Sequence, residues 1–241
     1  MAVSVDTVYQ RVLGILNKEQ RGYVTPQEFN LFANQAQLDI FEQYFYDINQ
    51  FGRVAGNSTE YSDMLTLLNE KINLFETTAT MAYSGGYFTL PSNLYRLGTI
   101  IYTNTTTNPF GVVSNEEIEA ERINKNEFLY INSSPLTKPK NIRPVYIADT
   151  NGIKAYGNSA LITGIKCNYI KKPAKVQWGY QMVYGEALYD STISQNFEVH
   201  ASEETDLVIK ILALSGLVTK EPDIYTAATQ EDALNTQQEK S

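Results

Sequence analysis

The chain has 241 residues but only one cysteine, one histidine and one tryptophan, and each scarcity excludes a chemistry. The lone thiol, Cys167, can neither close an intrachain disulfide nor build a cysteine zinc cluster. In its setting, Ile165-Lys166-Cys167-Asn168-Tyr169-Ile170, it reads as a small buried hydrophobe on a strand. A serine-histidine-acid triad would need His200. That residue stands at the entrance to a helix, where a surface or capping role suits it better. The chain has no phosphate-binding glycine loop, no His-Glu metal motif and no calcium loop. No apolar run approaches the roughly 18 residues that cross a bilayer. Met1 to Asp6 has neither the basic start nor the apolar stretch of a secretory leader. The expectation is a protein that is not an enzyme, with no catalytic, cofactor-binding or metal-ligating residue, no cofactor and no membrane partner.

Positive charge is also short. Lys and Arg total 19 against 27 Asp and Glu, a formal net charge of -8. An acidic chain does not wrap phosphate backbones by counterion release, although an acidic wall lets DNA slide past without sticking. Two basic clusters, Lys138/Lys140/Arg143 and Lys171/Lys172/Lys175, are broken by prolines and read as solvated loops. The acidic cluster Glu116, Glu117, Glu119 and Glu121 reads as a solvated helix face. Sequons at Asn57, Asn104 and Asn132 read as chance in a chain rich in asparagine, serine and threonine.

What is abundant is tyrosine, with 17 copies. Tyrosine supplies large, fairly rigid contact area with a polar tip, which suits interfaces. At 43% hydrophobic residues, a chain of this length can bury a substantial core.

The N-terminal third is patterned for helices. Val5, Val8, Tyr9, Val12, Leu13 and Leu16 make one stripe of a first helix over 5–17. Gly22 lets the chain reverse. Thr25-Pro26-Gln27-Glu28 is a capping box with proline at the first helical position, opening a helix to about Gln50. A third helix spans about 60–75, after a polar loop around Asn57-Ser58-Thr59. From Thr77 the pattern turns to strands: a hairpin over Thr80–Leu90 around Ser84-Gly85-Gly86, then a strand over Tyr95–Tyr102, then a polar turn at 103–108. Ser114-Asn115-Glu116-Glu117 carries a second capping-box signature and predicts a short helix to about Asn124. Asp149-Thr150-Asn151-Gly152 predicts a hairpin between 143–148 and 153–156. Residues 160–170 supply one or two further strands. Gln177 to Ala201 lacks clear periodicity and reads as an arm that docks on a neighbour or as a poorly patterned hairpin. Ser202 is the expected cap of a last helix through Leu207, Ile211, Leu212, Leu214 and Leu217. That helix is apolar enough to return to the N-terminal bundle.

The expected fold is α+β. An N-terminal helical bundle (1–78) is completed by a C-terminal helix (202–220). A β-rich region (79–201) with a short helix and a docking arm lies between them, and an extended tail (221–241) follows. The tail has only Ile224, Tyr225 and Leu234 as anchors, so it orders when a partner supplies surface.

Composition and periodicity stop at a structural α+β domain. A resemblance goes further. Val8-Tyr9-Gln10-Arg11-Val12-Leu13, Asn17 to Tyr23, Thr25-Pro26-Gln27-Glu28-Phe29-Asn30 and Ala33-Asn34-Gln35-Ala36-Gln37 resemble ring proteins at the head–tail junction of short-tailed, crAss-like phages. Phe88-Thr89-Leu90-Pro91 with Leu94-Tyr95-Arg96-Leu97, and the run Leu207 to Gly216, are similar to the same group. The resemblance implies a non-enzymatic virion protein, made in the bacterial host cytoplasm, that forms a homo-oligomeric ring at the portal vertex. The ring is expected to be a dodecamer matching the portal. Its implied partners are further copies of itself, the portal protein, adjacent tail or ring proteins, and genomic DNA passing through without sequence-specific binding. The competing readings are another tail component (tail tube, hub or minor capsid protein), a tail-borne cell-wall hydrolase, and a nucleic-acid-binding protein that the net charge disfavours.

Overall fold

A computed structural model describes residues 3–18, 24–51, 59–107, 113–219, 226, 228–231 and 233–234. The links expected around Gly22 and at 52–58 lie outside the described residues, as does most of the tail. The chain is mixed α+β, as its patterning predicts, and divides into two compact units. One comprises residues 1–74 with 173–241, and the other residues 75–172. The expected breaks at 78/79 and 201/202 thus fall at 74/75 and 172/173. Residues 173–201, expected with the strands, group with the helices.

In the first unit, α1 (Val5–Lys18) and α2 (Pro26–Phe51) form where the apolar period predicts them. Val5, Val8, Tyr9, Val12 and Leu16 of α1 are buried, as are Phe29, Ala33, Ala36, Ile40, Phe41 and Tyr44 of α2. The capping box forms. The Thr25 amide donates to the Glu28 carboxylate at 2.9 Å, and the Glu28 amide donates to Thr25 Oγ1 at 3.3 Å. Two bonds thereby satisfy groups that a helix start leaves orphaned. Helix α3 (Thr59–Asn73) packs on α2 through Leu68 and Ile72 among its buried residues.

The last helix, α5 (Glu204–Thr219), lies against α1 and α2. Leu207, Val208, Ile209, Ile211 and Leu212 are all buried, and a helix apolar on most sides needs such cover. Its cap is not Ser202. A turn of 3-10 helix at Ala201–Glu203 precedes it, and His200 caps that turn by accepting from the Ser202 amide at 3.3 Å. Imidazole, with an acceptor nitrogen, does here what a serine hydroxyl was expected to do. Lys71 meets the buried Glu203 at 2.6 Å. In the tail, residues 226, 228–231 and 233–234 are helical, not extended, and Ala228 is buried.

The second unit is an eight-stranded sheet in the order β1-β8-β4-β5-β6-β7-β3-β2. Its strands are β1 (Glu76–Thr80), β2 (Tyr83–Ser84), β3 (Tyr87–Phe88), β4 (Leu94–Thr107), β5 (Val113–Arg122), β6 (Val145–Asp149), β7 (Gly152–Tyr156) and β8 (Ile165–Lys171). Every neighbouring pair is antiparallel except β5–β6. A parallel pair needs a long crossover, and residues 123–144, carrying α4 (Lys125–Ser133), provide it. The core gathers Met81, Phe88, Ile100, Tyr146, Ile153, Ile165 and Cys167. Burial holds the Cys167 thiol above its usual range.

Three expectations fail in this unit. The hairpin around Gly85-Gly86 is shorter than predicted, because Thr80 pairs with β8 and the Met81 amide donates to the Ile165 carbonyl at 3.0 Å. The polar stretch 103–107 continues β4, as its β-branched threonines permit. The helix expected at 114–124 is strand β5. Its Ser-x-x-Glu signature is followed by alternation, not by a helical stripe. Ile118 and the buried Ala120 share one face, while Glu117, Glu119 and Glu121 share the other. The helix begins ten residues later on a second signature, Asn124-x-x-Glu127, whose Asn124 amide donates to the Glu127 carboxylate at 3.1 Å. Phe128 and Ile131, three apart, then pack on the small core of Ile123, Val145 and Ile147.

Candidate interaction surface

The segment 173–200 has little regular structure of its own, yet it is firmly held. The holding groups are on α2. Asn30, Asn34 and Gln37 fall at i, i+4 and i+7, on one side of the helix. Four helical residues rise about 6 Å, and two strand residues advance about 6.7 Å. A row of helix side chains can therefore keep step with alternate residues of an extended chain, and here it does. The Trp178 amide donates to Asn30 Oδ1 at 2.7 Å, and Asn30 Nδ2 donates to the Trp178 carbonyl at 3.3 Å. Asn34 makes the same pair with Val176, at 2.9 and 2.8 Å. Gln37, only 1% exposed, donates to the Ala174 carbonyl at 2.8 Å and accepts from the Glu198 amide at 2.9 Å. The Ala174 amide donates to the Glu198 carboxylate at 2.9 Å. Side-chain amides thus replace the neighbouring strand that a buried backbone would otherwise require.

The opposite edge of this extended run meets an isolated bridge, Gln177 with Gln195, and Gly179 next bonds to Asp190 and Ser194. Farther along, the Phe197 amide donates to the Val3 carbonyl at 3.1 Å, and the Val5 amide donates to Asn196 Oδ1 at 3.1 Å. Trp178, the only tryptophan, is buried. Its indole N–H donates to Asp6 Oδ1 at 3.0 Å. Its ring lies 4.3 Å from that of Tyr9, which meets Phe29 edge-on at 4.8 Å.

From this base a two-stranded hairpin projects: β9 (Tyr180–Val183) and β10 (Glu186–Tyr189). Asp190 ties its root together, accepting from the Thr192 amide at 2.9 Å, the Thr192 hydroxyl at 2.6 Å and the Gln181 side chain. The bonds from Thr192, and then that from Gln181, hold the Asp190 carboxyl below its usual range. The register places Tyr180, Met182, Ala187 and Tyr189 on one face. Tyr180 and Tyr189 each lie 5.8 Å from Trp178, so the aromatic stripe of the core runs on into solvent, where Met182 is 63% exposed. The two-residue turn has positive φ at both positions, 53° at Tyr184 and 91° at Gly185. That geometry suits asparagine or glycine. A tyrosine there costs about 1–2 kcal/mol, and its side chain is 105% exposed.

A second apolar exposure lies on the crossover of the sheet unit. Leu129 and Tyr130 of α4, Leu136 (92% exposed) and Ile142 all face solvent, with the exposed Lys138 and Lys140 among them.

The other residues singled out by the sequence are accounted for separately. Glu117 pairs with Lys166 at 2.6 Å and Glu121 with Arg143 at 3.0 Å, so two members of the acidic cluster and one of a basic cluster are tied across the sheet. Lys171 and Lys172 belong to the sheet unit and Lys175 to the helical unit. Asn104 is buried in β4. Among the described residues no group of three or more His, Cys, Asp or Glu is placed to hold a metal ion, and no helix is long and apolar enough to cross a membrane. The amide row on α2 escaped the sequence reading, although one signal was present. Two asparagines in the interior of a long helix are poor helix formers, and their spacing puts them on one face. No family model matches the chain, and no curated protein matches it.

Proposed function

We propose that the chain is a virion structural subunit that assembles into a ring at the portal vertex of a short-tailed phage, joining capsid to tail around the DNA path. The observation that carries the assembly role is the projecting hairpin. An apolar face continuous with the core, tipped by a fully exposed tyrosine in an unfavourable backbone conformation, is built for a partner's surface. The N-terminal resemblance, which includes the α1 stripe and the capping box at Thr25, points to the particular assembly. The net charge of -8 suits a channel wall that repels phosphates. Closed rings arise from heterologous contacts, in which each subunit presents two different surfaces. The hairpin and the 129–142 exposure are two such surfaces.

Electron microscopy of particles and of the purified protein tests the proposal. The expected result is a ring of twelve copies in register with the portal. A monomer, or a two-fold dimer, within virions would sink it.

A further inference from the structure

We propose that the hairpin Tyr180–Tyr189 of one subunit docks on the segment Leu129–Ile142 of a second copy of this chain, with Tyr184 as its anchor. The inference rests on the ring reading above and names the contact that would close the ring.

Three observations lead to it. First, the sequence retains tyrosine at a turn position with φ of 53°, where asparagine or glycine fits without strain. Full exposure removes any intramolecular reason for an aromatic ring there. Strain held at a surface tip is a signature of a functional contact, and tyrosine is among the commonest interface anchors. Second, the hairpin and the crossover have opposite charge. From Tyr180 to Asp190 the chain carries Glu186 and Asp190 and no lysine or arginine, whereas the exposed Lys138 and Lys140 lie between Leu136 and Ile142. Apolar surfaces that carry opposite charge favour a specific, steered contact. Third, another hairpin of the same kind is the poorer occupant. Two hairpins carry the same acidic residues, Glu186 and Asp190, and like charges brought together oppose binding. Two unlike surfaces on one chain give a head-to-tail contact, which closes into a ring when the rotation per subunit allows it.

The test uses the full chain and assembled particles. Sedimentation velocity across a concentration series reads self-association. The Tyr184→Gly variant is expected to weaken it at least about tenfold, the loss of one anchor. Its thermal midpoint should stay unchanged or rise, because glycine adopts the positive φ without strain. Glu186→Lys should weaken association as well, and combining it with Lys138→Glu and Lys140→Glu should restore it. A photoreactive group at position 184 should cross-link, in particles, to residues 129–142 of another copy. If rings form and Tyr184→Gly assembles with wild-type affinity, the docking inference is overturned while the ring reading stands. Cross-linking to a different protein overturns it too, giving the hairpin another occupant. If particles contain no ring of this chain, the ring reading falls and takes the contact with it.

Discussion

Two extended segments of this protein are held by opposite means. Strand β8 is paired through its backbone on both edges, with β1 on one side and β4 on the other. Its side chains only alternate: Ile165, Cys167 and Tyr169 are buried, and the residues between them are less so. The extended segment at 174–178 shows the same inward alternation at Val176 and Trp178. One of its edges, however, is satisfied by three side chains of a helix. Backbone pairing is indifferent to residue type and is therefore robust to substitution. A row of side-chain amides does the same hydrogen bonding with the whole contact vested in Asn30, Asn34 and Gln37. The first arrangement is general and the second is specific, and substitutions separate them.

The largest expected effect is on the amide row. Asn34→Leu combined with Gln37→Leu removes four hydrogen bonds to the extended segment, besides the Asn34 bond to the Asn30 carbonyl, and strands backbone groups of Ala174, Val176 and Glu198. It should cost about 3–5 kcal/mol, since each buried group left unpaired costs about 1–3 kcal/mol. Chemical denaturation gives the loss, and hydrogen exchange should show protection vanishing at the Val176 and Glu198 amides. A loss under about 0.5 kcal/mol, the usual range for neutral surface changes, would mean that packing of Trp178 alone holds the segment.

Next comes the sheet unit, which should be sensitive only where its backbone leaves no room. A Cβ at Gly152, whose φ is +136°, would stand 2.3 Å from the Phe88 carbonyl oxygen. Gly152→Ala should therefore cost about 2–3 kcal/mol through strain and displacement of β3. Asn168→Ala on β8 removes only exposed side-chain bonds to Thr78 and Thr99 and should stay within about 0.5 kcal/mol. If both variants unfold at the wild-type denaturant midpoint, the register assigned to β3 and β7 is wrong.

Smaller still is the cap of α2. Thr25→Ala should cost about 1 kcal/mol, read as a shift in the denaturation midpoint with unchanged slope. A full-sized loss, like that of a buried aromatic, would show that Thr25 has contacts beyond the cap.

The least effect is one of pH. Asp190 has its carboxyl held low by Thr192 and Gln181. A group with a depressed folded pKa stabilises the fold above its unfolded pKa and loses that contribution as pH falls through the folded value. Acidification below the ordinary aspartate range should loosen the hairpin root. Chemical-shift titration of Thr192 and Gln181 would follow it, and Asp190→Asn should flatten the response. An Asp190 that titrates at the normal aspartate pKa would refute the tie.

These contrasts also explain what the sequence makes legible. Periodicity gives α1 and α2, each of which buries one stripe, a continuous apolar run gives α5, and the Asn151-Gly152 turn gives the pairing of β6 with β7. Local pattern failed at Ser114-x-x-Glu117, where a local capping signature is overruled by the backbone ladder that residues Ile100 to Thr107 of β4 offer. It failed again at Ser202, the expected cap, because His200, for which a capping role was one expectation, takes that place through an acceptor nitrogen. The hairpin at 180–189 had an ambiguous reading because its turn, Tyr184-Gly185, keeps only half of the expected chemistry. The amide row joins positions 137 to 161 residues apart. No local pattern reports a partner at that distance.

The division of the chain bears on the order in which a ribosome delivers its parts. Everything the sheet unit needs lies within residues 75–172. The helical unit begins at the N-terminus, yet Trp178, Val199 and all of α5, which share its core, come after the sheet sequence. During synthesis the residues made before the sheet therefore wait for those made after it. The apolar faces of α1 and α2, with Phe29 and Phe41 among them, emerge early and stay uncovered until translation has passed residue 204. A nascent chain exposing such a surface is a natural client for chaperones.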